Sequence, residues 1–228
     1  MKELKDLLGW VENRVTPALN KIIDQRYYRS LTMQPVDRPP MLIHCEELPL
    51  GLESYPYQQA FDDPGKMLFN QVLTRVIPNL IVGDDGPLAV RTDHGTVVIA
   101  SLLGGKWVIR ENMYPWIEPV GSLEDVEALL SKPEDLNRGL GTKVQEFLRY
   151  YNEALSSYPK CYECLQIALP DLQGPFDTAH ELCGSDIYYH LGDEPETMTR
   201  ILSRIANTMV NFARLIRPLT RDRLYPDH

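Results

Sequence analysis

Two neighbouring carboxylates give the clearest sign of chemistry in this sequence. Asp84 and Asp85 stand between Gly83 and Gly86, directly after the apolar run Leu80-Ile81-Val82. If both side chains point into one cavity, their mutual repulsion should raise the pKa of one of them, which would make it a general acid near neutral pH. We therefore predict Asp84 and Asp85 as catalytic residues, with an ordinary turn as the alternative, because glycine and aspartate also favour turns.

A second group of polar side chains follows the apolar run Met41-Leu42-Ile43. His44, Cys45 and Glu46 carry atoms of the kind that bind metals. Adjacent side chains of an extended segment point to opposite faces, so that only His44 and Glu46 could act together. We predict these two as substrate-binding residues and assign no metal ligand. A plain polar loop is the alternative.

A third group follows the run Leu165–Leu169. Four polar residues there could line the same cavity as Asp84 and Asp85 and contact a substrate: Asp171, Gln173, His180 and Glu181. The alternative is that His180 has a structural role and that Glu181 faces solvent. Arg91 and Arg110 lie between the second and third groups. We predict Arg91 as a binding residue for a carboxylate or phosphate, with surface charge as the alternative.

The cysteines indicate neither a disulfide framework nor a metal centre. Cys45, Cys161, Cys164 and Cys183 are few and irregularly spaced, which favours free thiols. Cys161-x-x-Cys164 has no second pair with which to bind zinc.

The elements that would position these groups alternate between short apolar runs and amphipathic helices. Residues 41–43, 80–82 and 165–169 have the length and composition of buried strands. Apolar spacing predicts helices over about 64–77, 140–157 and 176–183, and a long last helix up to about Pro218 that begins with a capping box of Asp193 and Glu196.

The remaining segments contain more helix and one β-rich insertion. Residues 1–36 have two apolar stripes of helical spacing, the second of them at Leu19, Ile22 and Ile23, and form an N-terminal extension. Brief β-like pieces within 87–120 predict an antiparallel insertion. Capping boxes at Ser122 with Asp125 and at Ser131 with Glu134 predict two more helix starts.

Composition excludes several classes of partner. The chain has 228 residues, with 23 Lys and Arg against 32 Asp and Glu, for a net charge of −9. This balance disfavours nucleic acid and anionic membrane surfaces as partners. The N-terminus has no pattern of a signal peptide and no stretch approaches a membrane span, so we expect a cytoplasmic protein.

Three strands, each followed by a helix, predict a parallel α/β fold with both faces covered. Three strands cannot close a barrel. We therefore expect either a small open sheet or the first part of a (β/α)8 TIM barrel over residues 37–228, with further strands beyond residue 228.

Several of these residues also resemble a known superfamily. Leu169–Ala179 with its Gly-Pro-Phe turn, the later Asp193–Glu196 run, Arg38-Pro39-Pro40 and Leu80–Asp84 together resemble the uroporphyrinogen decarboxylase superfamily, which includes cobalamin-dependent methyltransferases. The resemblance covers about residues 36–216. It implies a (β/α)8 barrel with the site at the C-terminal ends of the strands, where Asp84 takes the place of the acid that contacts pyrrole nitrogens.

The sequence departs from the decarboxylase pattern at two places. The arginine-bearing run expected after the first strand is replaced by residues 44–49, which are rich in acid, and the tyrosine expected after the third strand falls at Glu181. Acidic residues there would repel a porphyrinogen, which carries eight carboxylates. The resemblance therefore favours corrinoid-linked methyl transfer, with porphyrinogen decarboxylation as an alternative.

The resemblance also bears on cofactors and partners. A decarboxylase of this superfamily needs no cofactor, whereas its methyltransferases use zinc and a corrinoid, with the zinc ligands expected beyond residue 228. The expected partners are a tetrapyrrole substrate, or a methyl donor with a corrinoid protein. A non-catalytic α/β module that forms a homo-oligomer or pairs with another chain through an open sheet edge is the alternative from a different class.

Overall fold

The computed structural model describes residues 3–43, 49–110 and 113–221. Over these residues the chain is a mixed structure, mostly helical, with two small sheets. It divides into two compact units, which we call unit 1 (Met1–Thr92, Phe147–Ala168 and Leu219–His228) and unit 2 (Asp93–Glu146 and Leu169–Pro218). None of the described helices is long and apolar enough to cross a membrane.

The elements follow one another in a fixed order along the chain. The α-helices are α1 (Leu4–Glu12), α2 (Pro17–Leu31), α3 (Tyr57–Asp62), α4 (Pro64–Gln71), α5 (Ile77–Val82), α6 (Val98–Leu102), α7 (Leu123–Leu130), α8 (Gly141–Ser156), α9 (Pro159–Cys164), α10 (Pro175–Cys183), α11 (Ile187–Asp193) and α12 (Pro195–Ile216). The strands are β1 (Ala89–Val90), β2 (Lys106–Val108), β3 (Trp116–Glu118) and β4 (Gln166–Ile167). Short 3₁₀ turns cover Pro49–Gly51, Gly184–Asp186 and Arg217–Leu219, and Val72–Val76 is a π-helical turn.

Unit 1 contains the parallel sheet. Strand β1 pairs with β4 in parallel, with Ala89 opposite Gln166 and Val90 opposite Ile167. The predicted third strand is therefore confirmed in shortened form. Its partner is a piece that the sequence assigned to an antiparallel insertion, and that assignment is wrong for residues 89–90.

The predicted strand at Leu80–Val82 is also wrong, because these residues belong to a helix. Helix α4 continues through the π-helical turn into α5, so the predicted helix over 64–77 is confirmed and extends further. Ile81 and Val82 are exposed. A run of three apolar residues is too short for its periodicity to distinguish a strand from the last turn of a helix.

The predicted first strand at Met41–Ile43 is wrong as well. These residues pair in neither sheet, and all three side chains are exposed. The N-terminal helices are confirmed as α1 and α2, and α1 buries Leu7, Leu8 and Val11. The second predicted stripe is wrong, because Leu19 and Ile22 of α2 are exposed.

Unit 2 combines helices with the antiparallel sheet. Strands β2 and β3 pair with Trp107 opposite Ile117, which confirms the antiparallel prediction for this part of the insertion. The β-like run at 97–100 covers the N-cap and the start of helix α6, whose residues are all buried, so its strand assignment is wrong. The periodicity of a short, fully buried apolar run fits a helix and a strand equally well.

Helix starts were predicted with mixed success. The capping box of Ser122 and Asp125 is present at α7. Ser131 instead ends α7, and Glu134 accepts hydrogen bonds from the Thr208 hydroxyl at 2.8 Å and the Asn211 amide at 2.9 Å. Helix α12 begins at Pro195 with no side-chain hydrogen bond at its N-cap, so the capping box of Asp193 and Glu196 is also wrong.

The amphipathic helices α8, α10 and α12 are confirmed. The apolar stripe predicted for α8 is buried, as are the residues of α12 at Met198, Ile201, Ile205, Phe212 and Ile216. Burial of an apolar stripe stabilises such helices more than intrinsic propensity does.

Candidate functional site

Asp84 and Asp85 follow the end of α5 in unit 1. Gly83 caps the helix in the left-handed conformation, with φ of 71°, which a residue without Cβ adopts at little cost. The cap turns the chain so that both carboxylates are buried. They lie beside a cavity of about 250 Å³ whose walls include Leu19, Ile22 and Leu80.

Asp85 is held by two arginines and by the backbone. Its Oδ1 accepts from Arg26 Nη1 at 2.6 Å and from Arg38 Nη2 at 3.0 Å. Its Oδ2 accepts from Arg38 Nη1 and from the Met41 N–H at 2.9 Å. The pKa of Asp85 is lowered to about 2, and the hydrogen bonds from Arg38 are the main cause. Asp85 is therefore not the acid with the raised pKa, because Arg38 and Arg26 stabilise its ionised form.

The Asp84 carboxylate accepts hydrogen bonds from two backbone N–H groups of unit 1. Its Oδ2 accepts from the Ile43 N–H at 2.8 Å, and its Oδ1 accepts from the Gly86 N–H at 2.9 Å. Both carboxylate oxygens are thus engaged in fixing two chain segments. This geometry favours a structural anchor, the turn alternative that the sequence left open.

Sequence reasoning missed Arg26 and Arg38, the two cations at this anchor. Both line the 250 Å³ cavity, and Arg26 also binds the Asp37 carboxylate through Nε at 2.9 Å and Nη2 at 3.0 Å. Arg26 lowers the pKa of Asp37 to about 2. Arg38-Pro39-Pro40 was noticeable as a motif, but no local pattern indicates which acid Arg38 would meet.

The third predicted group lies in unit 2, and the structure brings several of its members together. Asp171 Oδ1 accepts from the Gln173 backbone N–H at 3.2 Å and from the Gln173 amide at 3.0 Å. Gln173 has φ of 57°, a left-handed conformation that a residue with a side chain rarely adopts. Such strain persists where surrounding contacts impose it, and it is frequent at binding sites.

Glu181 is the most unusual carboxyl in unit 2. Its Oε1 accepts a hydrogen bond from the Thr96 hydroxyl at 2.6 Å. Its Oε2 is buried and has no hydrogen-bond partner among the described residues. Burial is the main cause that raises the pKa of Glu181, and the nearby Asp177 and Asp171 carboxylates raise it further. Glu181 as a whole is half-buried, with Oε2 withdrawn from solvent.

Of the other predicted site residues, His180 lies near Glu181, whereas Arg91 belongs to unit 1. The backbone N–H of Arg91, in unit 1, donates to Gln71 Oε1 at 3.1 Å. His180, in unit 2, is half-buried, and its ring lies 5.8 Å from that of Tyr188. Arg110 is exposed. His44 and Glu46 lie outside the described residues, so their predicted roles stay predictions.

The described cysteines are buried free thiols, as predicted. Burial raises the pKa of Cys161 and raises that of Cys183 to about 11, so both thiols are un-ionised at neutral pH. Within residues 3–43, 49–110 and 113–221, no three His, Cys, Asp or Glu side chains come together as a metal site.

Comparisons with known proteins give one structural likeness. A methyltransferase from Methanosarcina mazei has the same fold over 86% of this chain, with a TM-score of 0.61 and 16% sequence identity. The chain spans 56% of the length of that methyltransferase. No protein-family model matches the sequence, and no curated protein matches it either.

Proposed function

We propose that this chain belongs to a methyl-transfer enzyme of the uroporphyrinogen decarboxylase-like type, built on a (β/α)8 barrel. The observation that carries the proposal is the shared fold with a methyltransferase over 86% of the chain. The motifs at Leu169–Ala179 and Arg38-Pro39-Pro40 independently resemble the same superfamily. We assign the chain to the methyltransferase branch at the level of reaction class, with the methyl donor unspecified.

The catalytic residue that we propose is Glu181. A carboxyl with a raised pKa keeps its proton closer to neutral pH and can donate it to a departing group. In methyl transfer from an oxygen-linked donor, the acceptor's electron pair forms the new bond to the methyl carbon. The bond from carbon to oxygen breaks, and its electron pair stays on the oxygen. Glu181 then gives its proton to that oxygen and becomes a carboxylate, which solvent reprotonates.

The surroundings of Glu181 support this role. Thr96 holds Oε1 at 2.6 Å, which leaves the buried Oε2 as the atom able to carry the proton toward a substrate. Asp171, Gln173 and His180 then become the neighbouring contacts for the donor. A general acid positioned in this way contributes about 10²- to 10⁴-fold to a rate.

No group of three zinc ligands comes together among the described residues, and the resemblance places those ligands beyond residue 228. We therefore derive no step through zinc or a corrinoid. The roles proposed above belong to the chain's own side chains.

Porphyrinogen decarboxylation receives less support from the geometry. It needs a carboxylate that is available to pyrrole N–H groups, and Asp84 stands where the resemblance places that acid. Both oxygens of Asp84 already accept from the backbone, and Asp85 is saturated by Arg26, Arg38 and Met41.

A methyl-transfer assay tests the proposal. The chain is incubated with methanol or an aryl methyl ether as donor and with free cobalamin, kept in its cobalt(I) state, as acceptor. Formation of methylcobalamin is followed by absorbance. We expect a rate above the uncatalysed one that falls by about 10²-fold or more in Glu181→Gln.

The matched control is Glu146→Gln. Glu146 is an exposed glutamate of unit 2, and its substitution should leave the rate unchanged. Equal rates in the two variants would remove Glu181 from the mechanism. Absence of transfer above the uncatalysed rate, from a folded chain with every donor, would refute the proposed function.

A further inference from the structure

An exposed tyrosine between β2 and β3 packs close to the contact that holds Glu181. Thr96, whose hydroxyl donates to Glu181 Oε1, directly follows Gly95 in the chain. Gly95 has φ of 71°, and a Cβ added to it would lie 3.0 Å from Pro115 Cγ and 3.7 Å from Tyr114 Cδ1. The Tyr114 ring therefore packs against the backbone next to Thr96, while 59% of Tyr114 is exposed.

A second group of rings lies beside His180, the residue before Glu181. Phe176 and His180 are four residues apart in α10, and therefore on the same face of that helix. The Tyr188 ring of α11 lies 5.9 Å from the Phe176 ring and 5.8 Å from the His180 ring. Tyr188 is also 61% exposed, so that much of its surface is available to a ligand.

Both groups of rings belong to unit 2 and to segments that follow parallel strands in the chain. Thr96 comes after β1 and Glu181 comes after β4, and these two strands pair in parallel. In a (β/α)8 barrel the segments that follow the strands form the open face at which substrates bind. The surface of such segments stays open when further strands close the barrel.

We propose that the methyl donor at Glu181 is an aromatic methyl ether with no charged group on its ring. This inference rests on the methyl-transfer function proposed above and names its substrate class. The ring of such a donor can pack against Tyr114 and Tyr188, because aromatic rings attract one another at centroid distances of about 4.5–7 Å. A donor as small as methanol has no ring with which to use these two side chains.

The leaving group of an aromatic ether also suits Glu181. The acceptor, a nucleophile with a free electron pair, forms the new bond to the methyl carbon. The bond between that carbon and the ether oxygen breaks, and its electron pair stays on the oxygen. The proton of Glu181 moves to this oxygen, so that the products are a neutral phenol, the methylated acceptor and the Glu181 carboxylate.

The charges around Glu181 favour a neutral ring. The Asp171 and Asp177 carboxylates lie within electrostatic range of Glu181, and both would repel a carboxylate on the donor. Tyrosines and carboxylates would also attract a quaternary ammonium ion. Such an ion loses a methyl group as a neutral amine that needs no proton, so Glu181 would then take no part in the transfer.

Titration of the full chain with anisole (methoxybenzene), followed by ligand-observed NMR and without any acceptor, tests the inference. We expect saturable binding that Tyr114→Ala and Tyr188→Ala each weaken by about threefold to tenfold. Tyr189→Ala is the matched control, because Tyr189 is the next residue of α11, is 73% exposed, and projects about 100° away from Tyr188 around the helix. Its substitution should leave the binding unchanged, and circular dichroism checks that each variant keeps its helical content.

Competing ligands and transfer rates complete the test. Methoxybenzoate and tetramethylammonium should bind about tenfold more weakly than anisole, and tighter binding of either one would overturn the inference. Anisole binding that neither tyrosine substitution weakens would overturn it as well, and so would methyl transfer from methanol by a chain that does not bind anisole. Binding of anisole without transfer from any donor would instead refute the proposed function and leave the aromatic binding site in place.

Discussion

At the scale of single residues, the two acidic groups predicted as site residues differ in kind. Asp85 lies among cations and backbone donors, so its pKa is lowered to about 2 and it stays ionised. Glu181 is half-buried beside two other carboxylates, and burial is the main cause that raises its pKa. A carboxylate that is already fully hydrogen-bonded anchors structure, whereas a buried carboxyl with an unpartnered oxygen can exchange a proton.

The stability of unit 1 should depend on Asp85 more than on its neighbour Asp37. Asp85→Asn leaves Arg26 and Arg38 without the carboxylate they share, and should lower the free energy of unfolding by about 2 kcal/mol. Asp37→Asn removes an exposed partner of the same Arg26 and should cost clearly less than Asp85→Asn, because solvent screens an exposed ion pair. Urea denaturation of both variants measures the difference, and equal losses would show that Asp85 is no anchor.

The pH dependence of that difference follows from the sign of the pKa shift. The pKa of Asp85 is lowered in the folded state, so its contribution to stability is present above pH 3.8 and is lost as the pH falls toward about 2. The gap between the wild type and Asp85→Asn should therefore narrow over that range. A gap that is constant with pH would contradict the ion pairs.

At the scale of elements, the capping residues separate correct from incorrect sequence predictions. Ser122 accepts the N–H of Asp125 at the start of α7, and Ser122→Ala should destabilise the chain by about 1 kcal/mol. Ser131 matches the same pattern but donates to the Ala128 C=O at the end of that helix. Ser131→Ala should change stability by less than about 0.5 kcal/mol. Thermal unfolding of the two variants gives the comparison, and a reversed order would be evidence against this assignment.

The sequence predicted long amphipathic helices well and short apolar runs poorly. Helices α8 and α12 repeat their apolar spacing over several turns, so their buried faces follow from periodicity alone. The runs at 41–43, 80–82 and 97–100 are too short for that, and neighbouring groups decide their structure. Leu80–Val82 continues the helix that begins at Pro64, and Met41–Ile43 is held in place by the side chains of Asp84 and Asp85.

The site was predictable only in part, for a related reason. Residue type and chain position pointed to Glu181, Asp171 and Gln173. The partner of Glu181 is Thr96, 85 residues earlier, and the partners of Asp85 are Arg26 and Arg38, 59 and 47 residues earlier. Contacts over such distances depend on tertiary packing, and the pKa of each acid depends on these contacts.

At the scale of the whole molecule, the chain divides its chemistry between two units. Unit 1 holds the parallel strand pair and the anchor of acids and arginines. Unit 2 holds Glu181 with Thr96, Asp171 and Gln173. The structural likeness to a methyltransferase covers 86% of the chain, so it extends over most of both units. The likeness covers 56% of the methyltransferase, so the activity proposed for this chain is that of a larger fold.

The central claim is that Glu181 keeps its proton at a pH where ordinary glutamates have lost theirs. Carbon-13 NMR of the side-chain carboxyl groups, titrated on the full chain and assigned by comparison with Glu181→Gln, measures this directly. We predict that the Glu181 resonance titrates above the ordinary glutamate pKa of 4.5. A Glu181 carboxyl that titrates at or below 4.5 would contradict the account.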